Sequence, residues 1–541
     1  MTPLHKICIS LIFIIALILR FNQLGEIPTG LHADEASQGL NAYSLLKTGK
    51  DMYGVSWPIL FRANGSYQPP VYTYLSTLSI LAFGNTAFSA RFVSALVGSL
   101  LVLLSFFLVA RFGIGSNRDR LTQALVSALV LAISPWSIHF SRLAVEANLA
   151  LFIDVLALLL GLVSLKRKWL FIPFCLLLGL STHTYYTERI TAILFLGVFL
   201  YLFRSIFTAR KKEVFLGLLA FVILLLPHVY IFSTGALTRR LSQVSYLSDA
   251  TLIKGSVINK FQIISGQFMD HYLFYFSPKN LFVDPGQELG RADPELAMFY
   301  AWFLLPLVFG IRFLLKYKSE PLTKLLIVII LLGPLPAGLT GDLFYPLRVL
   351  FLLWGVSMVI ALGAVEIFRL IKSKWLRWLL FLAIAFYSIF TFFVSYFGLS
   401  RYLQVNDLGY SYVKLMSVLP SYSQYTIYVD KSQRSWGVGV RMAYLNKADP
   451  VSVQSMLASQ MQTGYYDGFV NSNEIFKFGN IIIEPINWGK ICGESVLAVG
   501  DRYSISPDQI KDHGLIQVFS VDDINHNPVL FGFKATKPCS S

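Results

Sequence analysis

The feature that most constrains this chain is a series of long apolar runs separated by short polar segments. Most runs have about 17–25 residues, which is the length of α-helix that crosses a bilayer. Only 14% of the 541 residues are charged, whereas a soluble domain carries about 25%. The sequence therefore predicts a polytopic α-helical membrane protein with about eleven spanning helices. The runs lie near 7–19, 90–110, 121–138, 143–165, 169–184, 190–206, 214–233, 298–315, 324–340, 347–369 and 378–399.

Short basic blocks between the apolar runs predict the orientation in the cell membrane. If the shorter apolar stretch 71–83 does not cross, nearly all of these blocks fall on one side, and Lys and Arg are enriched in cytoplasmic loops. We expect 71–83 to be interfacial or re-entrant, the N-terminus to be cytoplasmic and the C-terminus to lie outside. This placement also accounts for the net charge of +15 without a nucleic-acid partner. The blocks lie at 111–120, 166–168, 204–213, 316–324 and 369–377.

The polar C-terminal part of the chain has a different pattern. Alternating apolar and polar residues predict short strands, and the segments between them could be helices. We expect a transmembrane domain over 1–400, with a first outer loop at 25–87, and a small extracytoplasmic α/β domain over 401–541. The predicted strands are 426–430, 480–484, 496–500 and 516–520, and the predicted helices are 434–447 and 451–462.

Asp34 and Glu35 follow the first apolar run by a short distance and precede a predicted helix. Carboxylates at the membrane surface are well placed to take a proton from an acceptor hydroxyl or amine as a general base. The alternative is structural, with Asp34 capping the helix and Glu35 in its first turn. The spacing alone leaves both interpretations open.

Three further polar clusters fall on the predicted outer side. Glu146 lies near the outer end of a span, where it could line a site or simply pair with Arg142 four residues earlier. Arg348 opens another span, where it could bind a lipid phosphate or extend to the membrane interface. The third cluster is an outer turn that contains His183, Tyr186 and Arg189.

Motifs for bound cofactors are weak or missing in the sequence. No glycine-rich nucleotide motif is present, and the eight histidines show neither HExxH nor a pairing with spaced cysteines. The nearest spaced acidic pair is Asp293 and Glu295, so a divalent metal has little support. Cys492 and Cys539 could form a disulfide in an oxidising compartment.

Several of these segments together resemble the GT-C superfamily of membrane glycosyltransferases. Within it, the similarity is to the branch of protein O-mannosyltransferases and the lipid A aminoarabinose transferase, and it covers roughly residues 1–400. The 234–297 loop is too short for the soluble domain inserted in eukaryotic relatives, and the metal-binding motif of oligosaccharyltransferases is missing, which favours a bacterial-type enzyme. The segments are Asp34-Glu35, 67–72 with Gln68, Ala90-Arg91-Phe92, Ser141-Arg142 with Glu146, and 185–189.

The resemblance implies an enzyme that moves a single sugar from a polyprenyl-phosphate carrier to a protein, lipid or glycan acceptor outside the cytoplasm. Asp34 would be the acceptor-activating base, Glu35 its neighbouring acid and Glu146 a second acid in the site. The alternative is a transporter or flippase of lipid-linked saccharides, which predicts an internal two-fold repeat that the sequence does not show. A non-catalytic membrane scaffold would leave the outer clusters unexplained. The substrate-binding candidates are Gln68, Arg142, His183, Tyr186, Arg189 and Arg348.

Overall fold

The computed structural model describes residues 1–116, 119–248, 257–284, 296–403, 408–431, 437–467 and 474–538. The chain divides into two compact units. The first comprises Met1–Asn22, Val93–Ser233 and Leu237–Ser400. The second comprises Gln23–Phe92, Thr234–Ala236 and Arg401–Ser541. Residues 25–87, the predicted first outer loop, thus belong to the same unit as the C-terminal tail.

Helices dominate the chain. A π-helix covers Phe393–Leu399, and 3-10 turns cover Lys168–Leu170, Tyr246–Ser248, Ala301–Phe303, Ala337–Leu339, Pro346–Val349, Leu419–Tyr422 and Trp488–Lys490. The α-helices are α1 (Pro3–Phe21), α2 (Ala33–Thr48), α3 (Pro70–Phe83), α4 (Ala87–Phe112), α5 (Arg120–Ile133), α6 (Pro135–Ser141), α7 (Glu146–Ser164), α8 (Phe171–Thr182), α9 (Glu188–Leu202), α10 (Arg204–Phe207), α11 (Lys211–Ser233), α12 (Ala236–Val244), α13 (Val257–Phe274), α14 (Pro278–Phe282), α15 (Leu304–Lys316), α16 (Pro321–Leu332), α17 (Leu350–Leu370), α18 (Lys374–Phe392), α19 (Ser400–Leu403), α20 (Tyr410–Val418), α21 (Val438–Leu445), α22 (Pro450–Ser459) and α23 (Pro507–Asp512).

The prediction of a polytopic helical membrane protein is confirmed. Within the described ranges, seven helices are long and apolar enough to cross a bilayer, or eight if the bent pair α5–α6 is one span. The predicted runs near 169–184, 190–206 and 298–315 form the shorter helices α8, α9 and α15, of 12, 15 and 13 residues. Helix α8 and helix α15 each follow a 3-10 turn that takes up the start of the apolar run. The total of about eleven crossings therefore stays a prediction.

The short apolar stretch at 71–83 forms α3, a helix of 14 residues. At about 1.5 Å per residue it is too short to cross the hydrocarbon core. It ends at Gly84, whose φ of +73° lies in the left-handed region that glycine adopts readily. The interfacial or re-entrant character of this segment stays a prediction.

The second unit contains the predicted α/β domain. Its six-stranded sheet has the order β4-β5-β3-β6-β8-β7, in which β5, β3 and β6 are parallel and the other pairs are antiparallel. A separate hairpin, β1–β2, lies within residues 25–87, the predicted first outer loop. The strands are β1 (Phe61–Ala63), β2 (Ser66–Gln68), β3 (Thr426–Asp430), β4 (Phe476–Phe478), β5 (Ile481–Glu484), β6 (Val496–Gly500), β7 (Leu515–Asp522) and β8 (Pro528–Ala535).

The four predicted strands correspond to β3, β5, β6 and β7, whereas β4 and β8 were not predicted. The two predicted helices correspond to α21 and α22, although the start of the first, 434–436, lies outside the described residues. Cys492 is disulfide-bonded. Its predicted partner, Cys539, also lies outside the described residues.

Candidate active site

Asp34 lies in the first turn of α2, in the second unit. The N-cap of this helix is His32, whose Nδ1 accepts a hydrogen bond from the backbone N–H of Asp34 at 3.3 Å. The Glu35 carboxylate closes a capping box by accepting the His32 N–H at 2.9 Å. The Asp34 side chain remains 51% exposed, with one carboxylate oxygen 3.7 Å from His32 Nδ1. Asp34 is thus available to an external molecule, whereas Glu35 is engaged in the helix start.

Glu35 also forms a buried ion pair with Arg91. Nε and Nη2 of Arg91 donate to the two carboxylate oxygens at 2.9 and 3.0 Å, and both side chains are at most 2% exposed. The same guanidinium donates to the carbonyls of Leu24, Pro28 and Gly30. This bidentate pair therefore ties the start of the outer loop to α2. A charged group inside an apolar run needs a partner, which is the sequence signal that could have identified Arg91.

Two residues from other segments of the second unit lie close to Asp34. Gln68, a predicted substrate-binding residue, donates from Nε2 to the backbone carbonyl of Asp34 at 3.3 Å. Arg441 of α21 donates from Nε to the carbonyl of Leu31 at 2.8 Å. Burial lowers the pKa of Arg441, and the charges of Tyr412, Asp34 and Glu35 act in the opposite direction. No local pattern signals Arg441, because it lies 410 residues from Leu31.

The predicted residues of the first unit begin with Arg142 and Glu146. Glu146 is the first residue of α7. The buried Arg142 donates to the carbonyls of Leu19 and Asn22, at 2.9 and 2.7 Å, where α1 ends. Its guanidinium also lies 4.8 Å from the ring centroid of Phe397. Arg142 thereby satisfies carbonyls that the end of a helix leaves without intrahelical partners.

The predicted outer turn brings His183, Tyr186 and Arg189 together. His183 stacks on His228 with ring centroids 4.2 Å apart, and its Nε2 lies 2.5 Å from the carbonyl oxygen of Leu224. The Arg189 guanidinium lies over the Tyr186 ring at 4.4 Å. Its Nη1 and Nη2 atoms are buried and have no hydrogen-bond partner in the part of the chain that the structure describes. A buried guanidinium whose two terminal nitrogens make no hydrogen bond is well suited to bind an anion.

Arg240 and Arg348 lie near this turn in the first unit. The Arg240 guanidinium also lies over the Tyr186 ring, at 5.9 Å from its centroid. Arg348 donates from Nη1 to Thr340 Oγ1 at 2.6 Å and pairs with Asp342 at 2.7 Å. We call Arg189, Arg240 and Arg348 the arginine cluster. Arg240 was not predicted, because it lies in a long polar loop rather than at the end of an apolar run.

Tyr185 connects the members of this region electrostatically. Burial raises the pKa of Tyr185, the charges of Tyr345 and Glu146 raise it further, and Arg348 and Arg240 lower it. The phenol therefore remains a neutral hydrogen-bond donor at physiological pH. The structure thus groups the 183–189 turn, which contains Arg189, with Glu146, Arg240 and Arg348 in one unit.

The described side chains offer no cluster suited to a metal ion. Over those ranges, no group of three or more His, Cys, Asp or Glu residues comes together in a way that could hold one. Asp293 and Glu295, the predicted acidic pair, lie outside the described residues. The positive charge around the 183–189 turn comes from the arginine side chains described above.

Comparison with known proteins agrees with this architecture. The family model described as dolichyl-phosphate-mannose-protein mannosyltransferase matches residues 67–231. No curated protein sequence matches the chain.

Solved structures resemble almost the whole chain. ArnT from Cupriavidus metallidurans bound to undecaprenyl phosphate has 13% identity and a TM-score of 0.51, over 98% of this chain and 97% of that one. The apo state of the same protein gives a TM-score of 0.53 at 13% identity, with the same coverage. The apo Archaeoglobus fulgidus oligosaccharyltransferase gives 0.51 at 14% identity, over 99% of this chain and 75% of that one. The chain therefore has the fold of the GT-C membrane glycosyltransferases, and the likeness extends through the C-terminal tail.

Proposed function

We propose that this protein transfers a single sugar from a polyprenyl-phosphate carrier to an acceptor on the non-cytoplasmic side of the membrane. The observation that carries the proposal is the buried Arg189 guanidinium, whose Nη1 and Nη2 lack partners among the described residues. A lipid-linked donor presents a phosphate that such a group would bind. The similarity in fold to ArnT, whose structure contains undecaprenyl phosphate, supports the same donor class.

In this proposal the arginine cluster binds the phosphate of the donor. As the bond between the sugar and the phosphate oxygen breaks, negative charge develops on the leaving phosphate. Fixed guanidinium groups stabilise that charge. Tyr186, which lies beneath the Arg189 guanidinium, holds this cation in position. Tyr185, Glu146 and His183 would bind the sugar or the carrier beside it.

Asp34 acts as the general base in the same reaction. The acceptor heteroatom attacks the anomeric carbon, and the proton of the acceptor passes to the Asp34 carboxylate. The exposure of Asp34 supports this role. Gln68 and Arg441 hold the backbone around Asp34, and Glu35 is a positioning residue through its bonds to Arg91 and His32. Arg142 is assigned a structural role at the end of α1.

The experiment follows a radiolabelled sugar from polyprenyl phosphate into membrane acceptors. It compares wild type with Asp34→Asn at matched expression, over several sugars, and uses the exposed Asp508→Asn as control. We expect Asp34→Asn to lose about 10²- to 10⁴-fold in rate, the usual contribution of a general base. Equal transfer by wild type and Asp34→Asn would exclude Asp34 as the base.

A second variant tests the phosphate site. Arg189→Gln removes the guanidinium N–H groups, and we expect a higher KM for the lipid-linked sugar. The exposed Arg502→Gln serves as the control. An unchanged KM would exclude Arg189 from phosphate binding. Translocation of a lipid-linked saccharide across liposomes, without transfer, would instead favour the flippase alternative.

A further inference from the structure

The α/β domain of the second unit contains a cavity of about 630 Å³ that the proposed chemistry does not use. Its volume falls within the roughly 300–1,000 Å³ of typical small-molecule sites. It lies where α21 ends and α22 begins, next to the turn between β4 and β5. Buried Leu419, Val453 and Ile481 contribute an apolar floor, and the partly exposed ring of Phe478 lies beside them.

The rim of this cavity is polar and carries positive charge. Lys447 and Lys477 are exposed, and neither has a salt-bridge partner within the described ranges. The third charged group, Asp449, caps α22, since one of its oxygens accepts from the N–H and the hydroxyl of Ser452 at 2.9 and 2.7 Å. Because that carboxylate is engaged at the helix N-terminus, the two ammonium groups remain for a ligand.

We propose that this cavity binds an acidic saccharide, with carboxylate or phosphate groups on its sugar units. A pyranose ring presents C–H groups on one face and hydroxyls at its edge. The apolar floor and the Phe478 ring can pack against the C–H face. Asn446 and the Oδ1 acceptor of Asn480, whose Nδ2 donates to the Tyr425 carbonyl at 2.7 Å, can hydrogen-bond the hydroxyls. The two lysines then attract the acidic substituents.

An acidic peptide fits this cavity less well. Peptides commonly add to a sheet edge through main-chain hydrogen bonds. The edge strand beside the cavity, β4, has only three residues, so it offers few such bonds. The exposed Lys477 on β4 further discourages strand addition.

Helix α21 links the cavity to the start of α2. At the beginning of α21, a Cβ added to Gly437 would lie 2.3 Å from the Cβ of Ala33, the residue before Asp34. At its other end, Asn446 lines the cavity. Eight helical residues separate the two ends by about 12 Å at 1.5 Å per residue. Resting on the proposed function, we infer that the bound saccharide is a distal part of the acceptor glycan.

The test measures saccharide binding to the full-length protein in nanodiscs of uncharged lipid. The probes are tetragalacturonate, neutral maltotetraose and tetraglutamate. The variant is Lys447→Gln/Lys477→Gln. The matched control is Lys50→Gln/Lys511→Gln, which removes two exposed lysines of the same unit that do not line the cavity. Because all four side chains are exposed, both variants should fold.

We expect wild type and the control to bind tetragalacturonate equally, and the cavity variant to bind it about 10-fold more weakly or worse. Maltotetraose and tetraglutamate should bind more weakly than tetragalacturonate. Equal binding by the cavity variant and the control, tighter binding of tetraglutamate, or no saccharide binding at all would overturn the proposal. Asp34→Asn should bind tetragalacturonate as wild type does, because Asp34 does not line the cavity. Saccharide binding by a wild-type protein that transfers no sugar would overturn the proposed function and leave this site intact.

Discussion

Asp34 and Glu35 are adjacent in the sequence, yet their surroundings give them different chemistry. The Asp34 side chain is 51% exposed, whereas Glu35 is 2% exposed and forms a bidentate pair with Arg91. Burying a charge is costly unless it is paired, so removing either member of the Glu35–Arg91 pair should destabilise the protein. The exposed Asp34 carboxylate can therefore react with another molecule, whereas the buried Glu35 carboxylate stabilises the loop.

This difference predicts that two neighbouring substitutions change stability by very different amounts. Glu35→Gln leaves the Arg91 charge buried and without its ion pair, and we expect a loss of about 3–5 kcal/mol in the free energy of unfolding. Asp34→Asn should change stability by no more than about 0.5 kcal/mol, as at other exposed positions. Thermal unfolding of the purified protein by intrinsic fluorescence measures both. Similar stability of the two variants would contradict the structural role of Glu35.

A second buried carboxylate predicts a pH dependence of stability. Glu474 accepts a hydrogen bond from the Tyr53 hydroxyl at 2.7 Å. Burial raises its pKa, and Tyr53, Lys431 and Arg62 lower it only in part. The folded state therefore holds the proton more tightly than the unfolded state. The stability from this protonation is present below the unfolded pKa of about 4.3 and is lost as pH rises through the folded pKa.

Glu474→Gln keeps an oxygen acceptor for Tyr53 without the charge. Its Tm should equal that of wild type near pH 4 and exceed it near pH 8, because only wild type must ionise a buried group as pH rises. The exposed Glu494→Gln serves as control and should follow wild type at every pH. A Tm difference that does not grow with pH would show that Glu474 ionises without cost.

At the scale of elements, glycines allow α15 and α17 to approach closely. A Cβ added to Gly363 would lie 1.8 Å from the Pro306 carbonyl oxygen, and one added to Gly310 would lie 2.0 Å from the Val359 carbonyl oxygen. Two apolar helices gain little from leaving lipid, so their association depends on such backbone contact. The packing of these two helices thus requires small residues at both positions.

Gly363→Ala should therefore separate α15 from α17 and destabilise the protein by about 1–3 kcal/mol, the usual cost of overpacking. Gly197→Ala in α9 is the matched control, because nothing lies within 4 Å of its added Cβ. Thermal unfolding and the yield of monodisperse protein in detergent compare the two. Equal behaviour would mean that the helix pair adjusts to the extra methyl group.

At the scale of the whole molecule, the distribution of charge predicts the membrane topology. Two exposed positions test it, namely Lys212 in a predicted cytoplasmic block and Ser459 in the C-terminal domain. In a Cys8→Ser background, a membrane-impermeant maleimide should label Ser459→Cys in intact cells. It should label Lys212→Cys only after permeabilisation. Labelling of Lys212→Cys in intact cells would show that the orientation in the membrane is opposite to the predicted one.

The membrane class and most strands of the C-terminal sheet could be predicted from the sequence. Both follow from local patterns, since a bilayer demands long apolar helices and a half-buried strand alternates with a period of two. The same local patterns selected Asp34 and Arg189, which stand out as ionisable groups near apolar runs. The edge strand β4 was not predicted, because three residues are too few to show a period.

Which charged groups are paired and which are accessible depends on contacts between distant segments of the fold. Arg91 reaches Glu35 across 56 residues, and Arg441 reaches Leu31 across 410. Arg240 approaches Tyr186 from a distant loop. Hydrogen bonds and ion pairs act over a few ångströms in space regardless of separation along the chain, so partners from distant segments leave no periodic signal in the sequence.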